Sequence, residues 1–129
     1  MGLRISGPYN SGVAAGADGA ATNNTTSAIK LSGLVYGFYI EYNDSPPAGT
    51  TDVVITTSGN QNPADAVTLL TVANAATDGW FLVRQATVSA ANAANTDDYE
   101  PLPLDDNINV KIDGANAGDS VDVWLALIE

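Results

Sequence analysis

The stretch LVYGFYIEYNDSPPAGTTDVVITT, Leu34–Thr57, decides how the rest of the chain reads. In its first nine residues Leu34, Tyr36, Phe38, Ile40 and Tyr42 alternate with Val35, Gly37, Tyr39 and Glu41, so a strand carries the two sets on opposite faces. DVVITT, Asp52–Thr57, is β-branched and reads as the next strand. Between them DSPPAGTT (44–51) has the residues of a proline-stiffened turn. Glu41, Asp44 and Asp52 lie close enough in sequence to raise a calcium site or a catalytic carboxylate pair. Alternation argues otherwise: Glu41 shares a face with Tyr39 and Gly37, while Asp52 opens the following strand.

Working outward, the same pattern recurs. Residues 1–9 read as a short strand, with Leu3 and Ile5 alternating before the turn signal GPYN. The segment 11–27, SGVAAGADGAATNNTTS, has almost nothing large enough for a core and reads as a flexible loop or arm. The expected division is thus an N-terminal strand and arm (1–27) and a sandwich domain (28–129). Further strands are expected at 28–42, 79–90 and 107–113, with Ile108, Val110 and Ile112 inward in the last. At 66–73 Asn62–Pro63 could cap a short helix, but the run of Val, Thr and Leu favours a strand. YEPLPLDD (99–106) reads as an edge, because its prolines cannot donate to a central ladder. In 120–128, Val121, Val123, Leu125 and Leu127 oppose Asp122, Trp124, Ala126 and Ile128, a strand apolar on both faces. Ala-Asn-Ala precedes acid and then an aromatic at 73–80, 91–99 and 115–124, without a fixed period, and reads as three tight connections. About eight short strands between turn signals, with few of the long side chains that cover helices, predict an all-β, single-domain antiparallel sandwich of jelly-roll type.

The chain has 129 residues, 4 basic against 15 acidic, net charge −11, and neither cysteine nor histidine. Disulfides and thiolate metal sites are excluded, and the commonest general base is missing. Arg4, Lys30, Arg84 and Lys111 are scattered, so neither nucleic acid nor an anionic membrane is an expected partner. No apolar stretch approaches the length of a membrane span. With no histidine only Lys30 or Lys111 could activate a serine, and both sit in strand-like runs. Asp97–Asp98, Asp105–Asp106 and Asp113 to Asp119 are loop acids of the oxygen-ligand type that calcium takes, without a calcium-loop spacing. We therefore expect no enzyme activity, no cofactor and no intrinsic metal. Trp80–Phe81, Tyr9 and Tyr99 at strand junctions suit either a sugar platform or packing against core or interface.

The segments GLVYGFYIEYNDSPPAGTTDVVITTSG (33–59) and LLTVANAATDGWFLVRQ (69–85) resemble small structural proteins of tailed-phage virions. The resemblance rests on Gly33 to Tyr42, Pro46–Pro47, Thr50 to Val53, Leu69 to Val72, Thr77 to Phe81 with Arg84, and Asp122 to Leu125. It covers roughly residues 28–128, and the segment 11–27 departs from it. It implies a capsid decoration, or cement, protein on the outer surface of a phage head, made in the host cytoplasm. Such a protein is often a homotrimer that clamps neighbouring major capsid protein subunits. On that reading residues 1–9 and the loop after them reach the shell, and the second face of 120–128 with Trp80–Phe81 buries at subunit contacts. The expected interface residues are Leu3, Ile5, Tyr9, Trp80, Phe81, Trp124 and Ile128. Rival expectations are a β-sandwich module of the phage neck, tail or fibre, and a carbohydrate-binding module.

Overall fold

The computed structural model describes residues 2–43, 47–59, 66–83, 85–88, 94–100 and 102–129. Pro46, Arg84, Asp44 and the connection at 91–93 lie outside the described residues, as do the side chains of Asp97, Asp98 and Tyr99. The described residues form eleven strands and no helix: β1 (Leu3–Asn10), β2 (Ala21–Thr26), β3 (Leu31–Tyr42), β4 (Asp52–Thr57), β5 (Thr68–Val72), β6 (Gly79–Leu82), β7 (Gln85–Val88), β8 (Ala94–Glu100), β9 (Leu102–Asp106), β10 (Ile108–Ala115) and β11 (Val121–Ile128).

The pairing is nested and antiparallel throughout. β1 pairs β11, β2 pairs β10, β3 pairs β6 and β9, and β4 pairs β5. This long ribbon closes on itself where β11 joins β3 and β10 joins β4. Two sheets result: sheet I, in the order β1-β11-β3-β6 with β9 also along β3, and sheet II, β2-β10-β4-β5. A rolled ribbon of this connectivity is a jelly-roll sandwich. β7 and β8 form a separate two-stranded sheet inserted between β6 and β9.

The inner faces supply the core. Val35, Phe38 and Ile40 of β3, Val121, Val123, Leu125 and Leu127 of β11, and Val53 and Ile55 of β4 are fully buried. Ile108, Val110 and Ile112 point inward as the alternation predicts. β3 departs from strict alternation. Ala126 pairs Gly37 while Leu127 pairs Val35, so Tyr36 is an extra, bulged residue. The bulge flips the phase: Val35 joins Phe38 and Ile40 inside, and Leu34 and Tyr36 turn outward. Gly37 permits the tight passage, since a Cβ there would sit 2.9 Å from the Phe81 carbonyl oxygen.

The segment 11–27 differs most from expectation. It is no detached arm, and no boundary falls after residue 27. β1 runs beside β11 in sheet I, and β2 then edges sheet II beside β10. The crossing between them is held by main-chain bonds from Ser11 N to Val121 O (3.0 Å) and from Ala14 N to Asp119 O (2.8 Å). Ser11, Ala14 and Ala21 are buried. Small side chains here fit a crossing pressed against the sandwich, which composition alone reads as loop. The 79–90 run likewise contains two strands, β6 and β7, because pairing with β3 reaches Leu82 and pairing with β8 starts at Gln85.

Candidate functional site

Sheets I and II differ on their outer faces. On sheet I the rows across the strands are Leu3–Ile128–Leu34, then Ile5–Ala126–Gly37–Leu82, then Trp124–Tyr39–Trp80. The members on the edge strands stand furthest out, with Leu3 67%, Leu82 59%, and Ile5 and Trp80 each 51% exposed. Tyr39 lies between the two indoles edge-to-face, 5.4 Å from Trp80 and 5.9 Å from Trp124 between ring centroids. Such pairs fix the rings relative to one another. A bulge in β1 between Ser6 and Tyr9 accommodates Trp124: a Cβ on Gly7 would meet the indole Cδ1 at 3.1 Å. At the other end of the face, Gly2, Leu3, Tyr36 and Ile128 line a shallow recess beside the β3 bulge.

The next row is acidic. Asp122 faces Glu41 directly across the strands, and the Asn10 side-chain amide donates to Asp122 Oδ1 at 2.9 Å. The Asp78 carboxylate accepts from the Tyr42 main-chain N–H at 2.8 Å, at the same end of β3. The described cations are engaged elsewhere: Arg4 with Glu129 (2.9 Å), Lys30 with Asp105 (3.0 Å) and Lys111 with Asp113 (3.7 Å).

Sheet II presents rows Thr26–Asn109–Thr56 and Asn24–Lys111–Val54–Thr71. The Asn109 amide donates to Asn24 Oδ1 at 3.0 Å and to Thr26 Oγ1 at 3.1 Å. This face is polar and internally hydrogen-bonded.

Of the residues expected at an interface, Leu3, Ile5, Trp80, Trp124 and Ile128 come together on the outer face of sheet I. Tyr9 and Phe81 instead pack against the core from the inward side, and Tyr9 Oη lies 2.6 Å from Ser6 Oγ. Leu34, Tyr36, Tyr39 and Leu82 complete the face. Leu82 follows from its spacing of two from Trp80, whereas the bulge hides Leu34 and Tyr36 from an alternation argument.

The buried carboxylates have structural partners. Asp119 Oδ2 accepts from Asn116 N at 3.0 Å, closing the β10–β11 turn. Asp106 accepts from Ser58 Oγ, Gly59 N and Asn107 N, joining the two sheets. Among the described residues no three acids gather as a metal site. The Lys30 ammonium, then the Ser32 hydroxyl, hold the Asp105 carboxyl below its ordinary pKa. Burial, then the charges of Asp78 and Asp52, pushes the Tyr42 phenol up. The first shift comes from an exposed ion pair and its neighbouring hydroxyl, the second from burial beside carboxylates.

Compared with known proteins, the chain matches no family model, no curated protein and no solved structure.

Proposed function

We propose that this protein is a capsid decoration protein, which binds the outside of a phage head and ties neighbouring major capsid protein subunits together without catalysis. The observation that carries this reading is the apolar outer face of sheet I on an otherwise acidic molecule. A free-standing sandwich keeps its outer faces polar, as sheet II does. An apolar patch of a few hundred Å² rimmed by polar residues is often the functional surface of a protein, and here it is the one that another macromolecule would cover. The sequence resemblance supplies the kind of assembly. Its implied homotrimer is checked by the mass of the protein in solution.

The structure changes how such a protein would grip its shell. β1 is a sheet strand, so residues 2–9 are no free arm, and deleting them would strip β11 of its neighbour. Leu3 and Ile5 belong instead to the same face as Trp80 and Trp124, so one surface serves both expected contacts. The test is binding of purified protein to expanded, undecorated heads of the parent phage. Saturation at hundreds of copies per head supports the reading, as icosahedral repetition requires. Saturation at a few dozen copies or fewer points to the neck, tail or fibre.

One observation favours a second reading. Trp80, half exposed beside Tyr39, is the kind of ring on which a carbohydrate-binding module stacks a sugar. The 62° angles between Tyr39 and each indole argue against a flat platform. Glycan-array binding that disappears in Trp80→Ala would favour the carbohydrate reading.

A further inference from the structure

We propose that the surface seated on sheet I belongs to a partner with an apolar centre and a cationic side chain, an arginine or lysine, which reaches the Glu41–Asp122 end of the face. The inference rests on the decoration reading for the identity of the partner and adds the chemistry by which it is recognised.

Like charges directly opposite across two strands destabilise a sheet. Glu41 and Asp122 are such a pair, at one end of the two central strands of sheet I. Within the described residues no lysine or arginine pairs with either one. The adjoining row is Trp124–Tyr39–Trp80, whose ring faces attract a cation that the carboxylates also hold. An arginine stacked on an aromatic and bonded to carboxylates uses both kinds of contact, which is why arginine is favoured at interfaces.

Two considerations choose this occupant over a second copy of the chain. Four strands about 4.8 Å apart and six residue steps of about 3.3 Å give a face of roughly 400 Å² in projection. That is about half of the ~800 Å² each partner contributes to a standard interface, so two copies meeting on this face alone make a small contact. A second copy also brings net charge −11 and the same acidic corner, and each of its described cations is already paired. A larger partner that continues past the rim with positive charge answers both points.

The experiment measures binding of the full chain to undecorated heads between about 50 mM and about 500 mM salt, a range over which screening shortens the reach of charge several-fold. Wild-type binding should weaken as salt rises. The neutral double variant Glu41→Gln/Asp122→Asn should bind about tenfold less tightly at low salt and lose most of that salt dependence, as removal of complementary rim charge does. Glu41→Lys should bind less tightly still. Thermal unfolding of the neutral variant should occur no lower than in wild type, because a like-charge pair has been removed, so weaker binding is not misfolding. Neutral-variant binding equal to wild type, with the same salt slope, overturns the cationic partner while leaving the decoration reading intact. Self-association of wild type that Trp80→Lys abolishes replaces the partner with a second copy. Wild type that fails to bind heads at any salt overturns the decoration reading, and this inference with it.

Discussion

The two outer faces of this sandwich are made by the same kind of strand and differ in what they show to water. Sheet II crosses from Thr26 through Asn109 to Thr56 and from Asn24 through Lys111 to Thr71, polar apart from Val54. Sheet I crosses from Ile5 through Ala126 to Leu82 and from Trp124 through Tyr39 to Trp80, with charge confined to its end. The core does not require this difference, since both sheets already bury their inner faces. On the proposed decoration reading, the contrast separates what folding demands from what assembly demands.

The largest effect expected from this contrast is on assembly. Trp80→Lys with Trp124→Lys should weaken binding to undecorated heads by about a hundredfold or more, the size of loss that central aromatic anchors give. Thr71→Lys with Asn24→Lys, on the outer face of sheet II, should leave binding unchanged. Comparable losses from both pairs would erase the distinction between the faces.

Next in size is the contrast within one strand. Leu125 and Trp124 are neighbours on β11, one fully buried in the core and the other turned outward. Leu125→Ala should destabilise by about 2–5 kcal/mol through lost burial and a cavity. Trp124→Ala should lose about 1 kcal/mol, chiefly its ring contact with Tyr39. Urea unfolding of the isolated protein measures both, and the order of the two losses is the point at issue.

A smaller effect concerns the ends of the strands. Tyr42 is the inward residue after Glu41, and its phenol is held above the ordinary value of 10.0 by burial and then by Asp78 and Asp52. A folded-state pKa raised in this way gives stability that is complete below pH 10 and lost as pH rises towards the folded value. Tyr42→Phe removes that loss, so alkaline unfolding, followed by circular dichroism, should move to higher pH. An unchanged alkaline midpoint would mean that another group sets it.

The smallest effect lies at the exposed β3–β9 edge. Lys30 and Ser32 hold the Asp105 carboxyl below its ordinary 3.8. A depressed folded pKa gives stability present above 3.8 and lost as pH falls through the folded value. Lys30→Ala should therefore flatten the acid limb of stability below pH 4, with little change at neutral pH, where exposed ion pairs count for little.

Much of this architecture was legible in the sequence. The strands at 52–57 and 107–113 and the inward set of 120–128 follow from period-two alternation, which a sheet with one buried face enforces. The outer face was partly legible, because Trp124 and Ile128 oppose a fully apolar inner set and so stand out as unneeded by the core. Two features were not. A one-residue bulge at Tyr36 reverses the phase, and nothing in LVYG announces it beyond the glycine. The alanines at 14 and 21 read as loop because a methyl group looks too small for a core, although it is the size that fits a chain crossing between sheets. The expectation places Tyr9 at the interface with the shell-reaching residues 1–9 and Phe81 there with Trp80 at a strand junction, whereas strand phase turns both inward.

On the decoration reading the outer face of sheet I is the covered one. Cryo-electron microscopy of the decorated head tests it most directly, by showing which face of the sandwich meets the shell. Trp80, Trp124, Ile5 and Leu82 should be buried against capsid subunits, while Asn109 and Thr71 face solvent. A sandwich seated on sheet II, with the Trp124–Tyr39–Trp80 row open to water, would contradict it.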